Sequence, residues 1–225
     1  MHIGILQTGH APDALRGALG DYPDMFVNLL EGRGFDFTTW DVEHMDFPPS
    51  PREAEGWLIT GSKHGVYEDH PFIPPLEAFI RAAVAAETPV VGICFGHQII
   101  AQALGGHVEK FAGGWSVGPK PYEIEGRTYL LNAWHQDQVI TPPEGAETVG
   151  CNDFCAHAAL RYGDRAFSVQ PHPEYGREVI EGLMTHRAPG VVPEDRLAEA
   201  RARLDRPTDS PAMAERIARF FTERR

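Results

Sequence analysis

Cysteine is scarce in this chain, basic charge is outweighed, and long apolar runs are missing. Three cysteines, Cys94, Cys151 and Cys155, are too few and too odd in number for a disulfide framework. A reducing compartment, the cytoplasm, is therefore the expected location. Met1 to Leu6 also carries neither the charged n-region nor the long apolar stretch of a signal peptide. No apolar run approaches the roughly 18 residues of a membrane span. Lys and Arg number 20 against 32 Asp and Glu, a net charge of −12, which disfavours nucleic acid or an anionic membrane as the main partner. Cys151 and Cys155 with His157 offer part of a metal site, but no second pair completes a zinc signature. The expectation is two small thiols and no metal.

What is present is an ordinary core-forming composition: 225 residues, 42% hydrophobic and 23% charged, enough for one α/β domain. Short β-branched runs alternate with helical patterns, which predicts a mainly parallel sheet flanked by helices. Strands are expected at Ile3 to Gln7, Phe35 to Trp40, Trp57 to Thr60 and Pro89 to Ile93. Helices are expected at Tyr22 to Glu31, Leu76 to Ala86, Gly96 to Leu104 and Tyr175 to His186. From Val108 to Val169 short strands and turns predict a small antiparallel excursion. Residues 189–225 read as a helical extension, broken by Pro193, Pro207 and Pro211, packed on the domain formed by residues 1–188. Within it, Met213, Ile217, Phe220 and Phe221 repeat at helical spacing, while Glu194 to Arg206 reads as a solvated helix face.

Cys94 stands where a buried strand meets a glycine and a helix, the order of a nucleophile elbow with cysteine in place of serine. A thiol attacks an amide only as thiolate, and a helix N-terminus with a nearby histidine favours that form. The Phe95 N–H would then face the substrate carbonyl as half of an oxyanion hole. The segment Gln170-Pro171-His172-Pro173-Glu174 supplies the other groups. If His172 and Glu174 share one side of an extended segment, the carboxylate holds the imidazole in one tautomer. His172 then takes the thiol proton and returns it to the leaving amine.

Together these segments resemble the class-I, triad-type glutamine amidotransferases. Gly92-Ile93-Cys94-Phe95-Gly96-His97-Gln98 is similar to that family's nucleophile motif, and Ser168 to Glu174 to its second motif, 78 residues on from Cys94 (172 − 94). Leu58-Ile59-Thr60-Gly61-Ser62 sits where the family's oxyanion loop should, without its usual Pro-Gly wording. The resemblance implies a flavodoxin-like fold, a Cys94–His172–Glu174 triad, an oxyanion hole from Gly61 and Phe95, and neither metal nor cofactor. It further implies substrate contacts from Gly61, Ser62, Gln98, Trp115, Ser116, Val117 and His135. His135 is expected as a wall and His97 as a packed residue, neither as a base.

The reaction implied is attack on the γ-amide of glutamine, or of a γ-glutamyl amide, through a Cys94 thioester. The stretch Thr60 to Tyr67 resembles stand-alone GMP-synthase-like amidotransferase proteins, which implies ammonia transfer to a synthetase partner, or plain hydrolysis. Gly114-Trp115-Ser116-Val117-Gly118 resembles stand-alone γ-glutamyl peptidases, so a peptidase is the alternative. A non-enzymatic binding module on the same fold is a third reading; the intact Cys94, His172 and Glu174 set argues against it.

Overall fold

The computed structural model describes residues 1–223; Arg224 and Arg225 of the expected extension lie outside the described residues. The chain opens with β1 (His2–Gln7), α1 (Asp13–Leu19), α2 (Tyr22–Leu29), β2 (Asp36–Asp41), β3 (Gly56–Ile59), α3 (Ile73–Ala85), β4 (Val90–Ile93) and α4 (Phe95–Ala103). Seven strands follow: β5 (His107–Lys110), β6 (Ser116–Ile124), β7 (Arg127–His135), β8 (Asp137–Thr141), β9 (Glu147–Cys151), β10 (Ala159–Tyr162) and β11 (Ala166–Val169). The chain then forms α5 (Arg177–His186), α6 (Glu194–Arg201) and α7 (Ser210–Thr222).

Five strands pair in parallel in the order β2-β1-β3-β4-β11, the flavodoxin-like arrangement. The central strands β3, β4 and β11 are buried along their whole length because both faces are covered, whereas the edge strand β2 is polar and partly exposed. On one face Leu6, Trp57 and Ile59 pack with Leu76 and Ile80 of α3 and Ile100 of α4. On the other, Ile3, Ile5 and Leu58 pack with Phe26 of α2 and Met213 and Ile217 of α7. The antiparallel strands do not fold away. β10, β9, β6 and β7 continue the same sheet beyond β11, and only β5 and β8 form a separate ribbon.

Most element limits fall within one or two residues of the sequence expectation, with differences at two helix starts and one added helix. α3 begins at Ile73, with Pro74 and Pro75 inside its first turn, where the missing proline N–H has no intrahelical role. α5 begins at Arg177, after Gly176 in an extended conformation at its N-cap. α1 was not anticipated: it has seven residues, one buried apolar side chain and no side-chain cap. The mixed-charge stretch does form an exposed face, with Glu199 beside Arg196 and Arg203, over buried Leu197 and Ala200.

Candidate active site

Ligand sites on sheets of this kind lie beyond the carboxyl ends of the strands, and three adjacent ends converge here. Cys94 follows β4, Gly61 follows β3, and Gln170 to Glu174 follows β11. Cys94 takes φ 54°, ψ −103°, a conformation that costs a non-glycine residue about 1–3 kcal/mol. Its neighbours make the turn possible by being small. A Cβ on Gly92 would lie 2.4 Å from the Gly96 carbonyl oxygen, and one on Gly96 would lie 2.3 Å from the Ile59 carbonyl oxygen. The elbow is tied across the sheet by the Cys94 N–H donating to Val169 O at 2.9 Å. Cys94 thus caps α4, whose first N–H groups have no intrahelical acceptors and carry partial positive charge.

His172 is held from several directions. Its backbone N–H donates to Asn132 O at 2.8 Å, and the Asn132 side chain donates to Tyr175 O at 2.8 Å. Its ring stacks on Tyr175 with 3.9 Å between centroids and 5° between planes. Nδ1 meets Glu174 Oε1 at 2.6 Å, so the carboxylate keeps the proton on Nδ1 and turns Nε2 away from it. Burial is the largest influence on this imidazole and opposes its charge. The Glu174 carboxylate and the Cys94 sulfur outweigh it, so His172 is raised above the usual histidine range. A Cβ on Gly61 would lie 3.0 Å from His172 Cε1 and 3.8 Å from Cys94 Cβ. The Gly61 backbone therefore abuts both groups. Its loop is pinned by the Thr8 hydroxyl donating to Gly61 O at 3.1 Å and the Gly96 N–H donating to Thr60 O at 3.2 Å.

A cavity of about 530 Å³ opens in front of Cys94 and His172, and Ser62, Gln98, Trp115 and His135 line it. The Gln98 amide nitrogen is already committed, to Asp137 O at 2.9 Å and Gln170 Oε1 at 3.1 Å, which leaves its oxygen for a ligand. His135 donates from Nδ1 to Asp137 O at 3.2 Å, and its Nε2 is buried without a protein partner among the described residues. Burial, then the charge of His172, pushes its pKa down to about 3. It is a neutral wall bearing one acceptor. Ser116 and Val117 stand behind the cavity rather than in it: Ser116 pairs with His135 across β6 and β7, and Val117 packs toward α5 and α6. His97 is fully buried on Ser168 Oγ at 2.8 Å, its pKa pushed down to about 3 by burial.

Several residues at the site escaped the sequence reading. Gln170, quoted only as part of a motif, places Nε2 3.5 Å from Cys94 Sγ. Tyr67 donates to Asp137 Oδ2 at 3.0 Å on the cavity wall. Arg187 reaches the cavity from beyond α5 while donating to His10 O and to the Tyr22 hydroxyl. Tyr67 lay inside a stretch already singled out; nothing in the sequence marked Arg187. Of the thiols considered for metal, Cys151 is exposed and Cys155 is buried, its pKa pushed up to about 12 by burial.

A thiol at a strained elbow, an imidazole oriented by a carboxylate, and adjacent backbone N–H groups suit nucleophilic attack on a carbonyl carbon. Comparison with known proteins gives the same direction. Residues 39–184 match the family model for glutamine amidotransferase class-I. A glutamine amidotransferase-like protein of Schizosaccharomyces pombe is 29% identical over 99% of this chain and 99% of its own. Gamma-glutamyl peptidase 4 of Arabidopsis thaliana is 27% identical over 91% of this chain and 88% of its own. The solved structure of a glutamine amido transferase from Methylobacillus flagellatus shares the fold, with TM-score 0.75 and 22% identity over 97% of this chain and 91% of that one. The fold is thus shared with a solved relative, and the chain belongs to the class-I glutamine amidotransferases.

Proposed function

We propose that this protein hydrolyses the γ-amide of glutamine, or of a γ-glutamyl compound, through a thioester on Cys94. The observation that carries the reading is the line of groups Cys94, His172 and Glu174, with the last two 2.6 Å apart and buried. His172 already holds the thiol's proton, and the Cys94 thiolate Sγ bonds to the γ-carbonyl carbon. The N–H groups of Phe95 and Gly61 stabilise the oxyanion. When the C–N bond breaks, His172 returns the proton to the departing ammonia or amine. Water then adds to the thioester, His172 again accepting a proton, and glutamate leaves as the thiol reforms. Ser62, Gln98, Trp115 and His135 hold the glutamyl group, with Ser116 and Val117 supporting that wall from behind. The reaction needs a free thiol, which suits a reducing cytoplasm.

Two versions of the reaction differ in the leaving group. A glutamine amidotransferase would deliver ammonia to a synthetase partner; a γ-glutamyl peptidase would release an amine or peptide and need no partner. The second is supported by a cavity in the size range of ligands larger than one amino acid, which extends past Cys94 to Trp134, Arg187 and Val191. It is also supported by similarity to a named γ-glutamyl peptidase along most of the chain. Steady-state hydrolysis of glutamine and of a panel of γ-glutamyl peptides, with Cys94→Ala as control, separates the versions. Cys94-dependent turnover of peptides above glutamine selects the peptidase. Feeble glutamine turnover alone selects the partner-dependent enzyme. Turnover that survives in Cys94→Ala rejects both, and tight ligand binding without turnover identifies a binding module.

A further inference from the structure

A second gathering of histidines and carboxylates lies at the carboxyl ends of β1 and β2, where the proposed hydrolysis makes no use of it. His10 follows β1, Asp41 ends β2, and Glu43 and His44 lie in the short 3-10 turn Val42–His44. His10 Nε2 and Glu43 Oε2 are both buried, and neither has a hydrogen-bond partner among the described residues. They face each other at 3.7 Å. Asp41 Oδ2 is 3.2 Å from the same His10 nitrogen and 2.9 Å from His44 Nδ1. Ligand atoms of His10, Glu43 and His44 all lie within 4.8 Å of one another.

The far side of each of the two inward groups is tied down. His10 Nδ1 meets Asp21 Oδ2 at 2.6 Å, and Asp21 is itself fixed by the Ala11 N–H at 2.8 Å and by Gln7 Nε2 at 3.1 Å. Nδ1 lies between Asp21 Oδ2 at 2.6 Å and Gln7 Nε2 at 2.8 Å; the shorter contact, to the carboxylate, calls for the proton on Nδ1, which makes Nε2 a lone-pair donor, and this carboxylate–histidine pairing is the usual support of a metal-ligating imidazole. Glu43 Oε1 accepts from His64 Nε2 at 2.8 Å, so Oε2 is aimed inward.

We propose that His10, Glu43 and His44, with Asp41 as fourth ligand, bind one divalent transition-metal ion of the zinc class. Two imidazoles and two carboxylates suit zinc better than magnesium or calcium, which prefer oxygen alone. Zinc bonds of about 2.0–2.2 Å in a tetrahedron put ligand atoms roughly 3.3–3.6 Å apart, close to the 3.2 and 3.7 Å found around His10 Nε2; the Asp41–His44 pair, hydrogen-bonded at 2.9 Å, would open by a few tenths of an ångström to take the ion. A doubly protonated His10 bridging Asp21 and Asp41 is the competing arrangement. It satisfies Nε2 but gives the buried Glu43 Oε2 no donor. The ion would join the ends of β1 and β2, next to the β1–β3 crevice where the strand order reverses. Through the Glu43–His64 bond it would also reach the loop that carries Gly61 and Ser62 beside Cys94. The sequence reading missed the group because its members are scattered from position 10 to position 44 and match no spaced motif.

The test uses the full chain in a Cys94→Ala background, so that the thiol cannot take the metal. After dialysis against a chelator, the protein is titrated with Zn²⁺, and separately with Co²⁺ to read the ligand-field spectrum. Expected are one Zn²⁺ per chain at this site, a tetrahedral Co²⁺ spectrum and a rise in Tm. Asp21→Asn should weaken binding by about 10- to 100-fold, and His10→Gln or Glu43→Gln by more. His44→Gln changes an exposed ligand and gives the same reading if a buried variant fails to fold. His70→Gln, in the neighbouring His64–Glu68–His70 group, should leave the affinity unchanged. No saturable binding, full binding by folded His10→Gln and His44→Gln variants, or loss of binding in His70→Gln would each overturn the proposal.

Discussion

Two corners of one sheet edge gather histidines and carboxylates, and they are assembled in opposite ways. Around Cys94 the groups are dry: the side chains of His172 and Glu174 are 2% and 1% exposed. Their positions are imposed by backbone, through the strained elbow and the Pro171-His172-Pro173 segment. Around His10 the groups are half wet, with His10 at 25% and His44 at 69%, and side chains hold one another. The dry corner sets the charge of each group by burial and one chosen neighbour. Within it, His172 is raised by Glu174 and Cys94 while His135, in the same cavity wall, is lowered by burial and by His172. The wet corner shares charge among many partners, so no single group dominates.

The largest effect should come from the sulfur. Cys94→Ala is expected to lower kcat by about 10⁴-fold or more while leaving the fold intact, because the smaller side chain suits the same backbone. Activity against the preferred γ-glutamyl substrate, with circular dichroism as the fold check, makes the comparison.

Glu174→Gln should come next, at about 10²- to 10⁴-fold in kcat, since an amide cannot hold the imidazole proton on Nδ1 as a carboxylate does. It carries a signature in stability as well. A histidine raised above its unfolded value of 6.5 stabilises the fold fully below that value, and this contribution is lost as pH rises through the folded pKa. The stability gap between the wild type and Glu174→Gln should therefore be widest near pH 6.5 and close toward alkaline pH in denaturant titrations. A gap that widens with pH would contradict the charged His172.

The dry corner also has an acid weakness. His97 and His135 remain neutral in the fold down to about pH 3, against 6.5 when unfolded. Below pH 6.5 the unfolded chain binds the additional protons, so stability falls by about 1.4 kcal/mol per pH unit for each histidine. Urea unfolding between about pH 6.5 and pH 4 should give this slope, and His97→Gln should remove half of it.

The contrast between corners also explains what could be read in advance. The nucleophile and its histidine sit in two short segments where backbone and chemistry are fixed together, so Cys94, His172 and Glu174 were legible. So was the parallel sheet, since strands covered on both faces have continuous apolar runs. Ser116 and Val117 were picked out by wording and do not line the cavity; Trp115, one residue earlier, does. Arg187 and the His10 group depend on which strand ends meet in space. That information lies in the β2-β1-β3 order, and no local pattern carries it.

The smallest effect should be at the wet corner's outer rim, and it is the sharpest test of the contrast. His70 meets Glu68 at 2.9 Å, with side chains 31% and 46% exposed. Burial works against the Glu68 charge, but hydrogen bonds from His70 and the Gly65 backbone and the nearby His70 and His64 charges leave its pKa lowered. Water screens such a pair, so a double-mutant cycle of Glu68→Gln and His70→Gln should give a coupling of about 0.2–1 kcal/mol. The coupling should shrink with added salt. A coupling of several kcal/mol that salt does not touch would mean that this rim is as dry as the corner around Cys94, and the distinction between the two would fail.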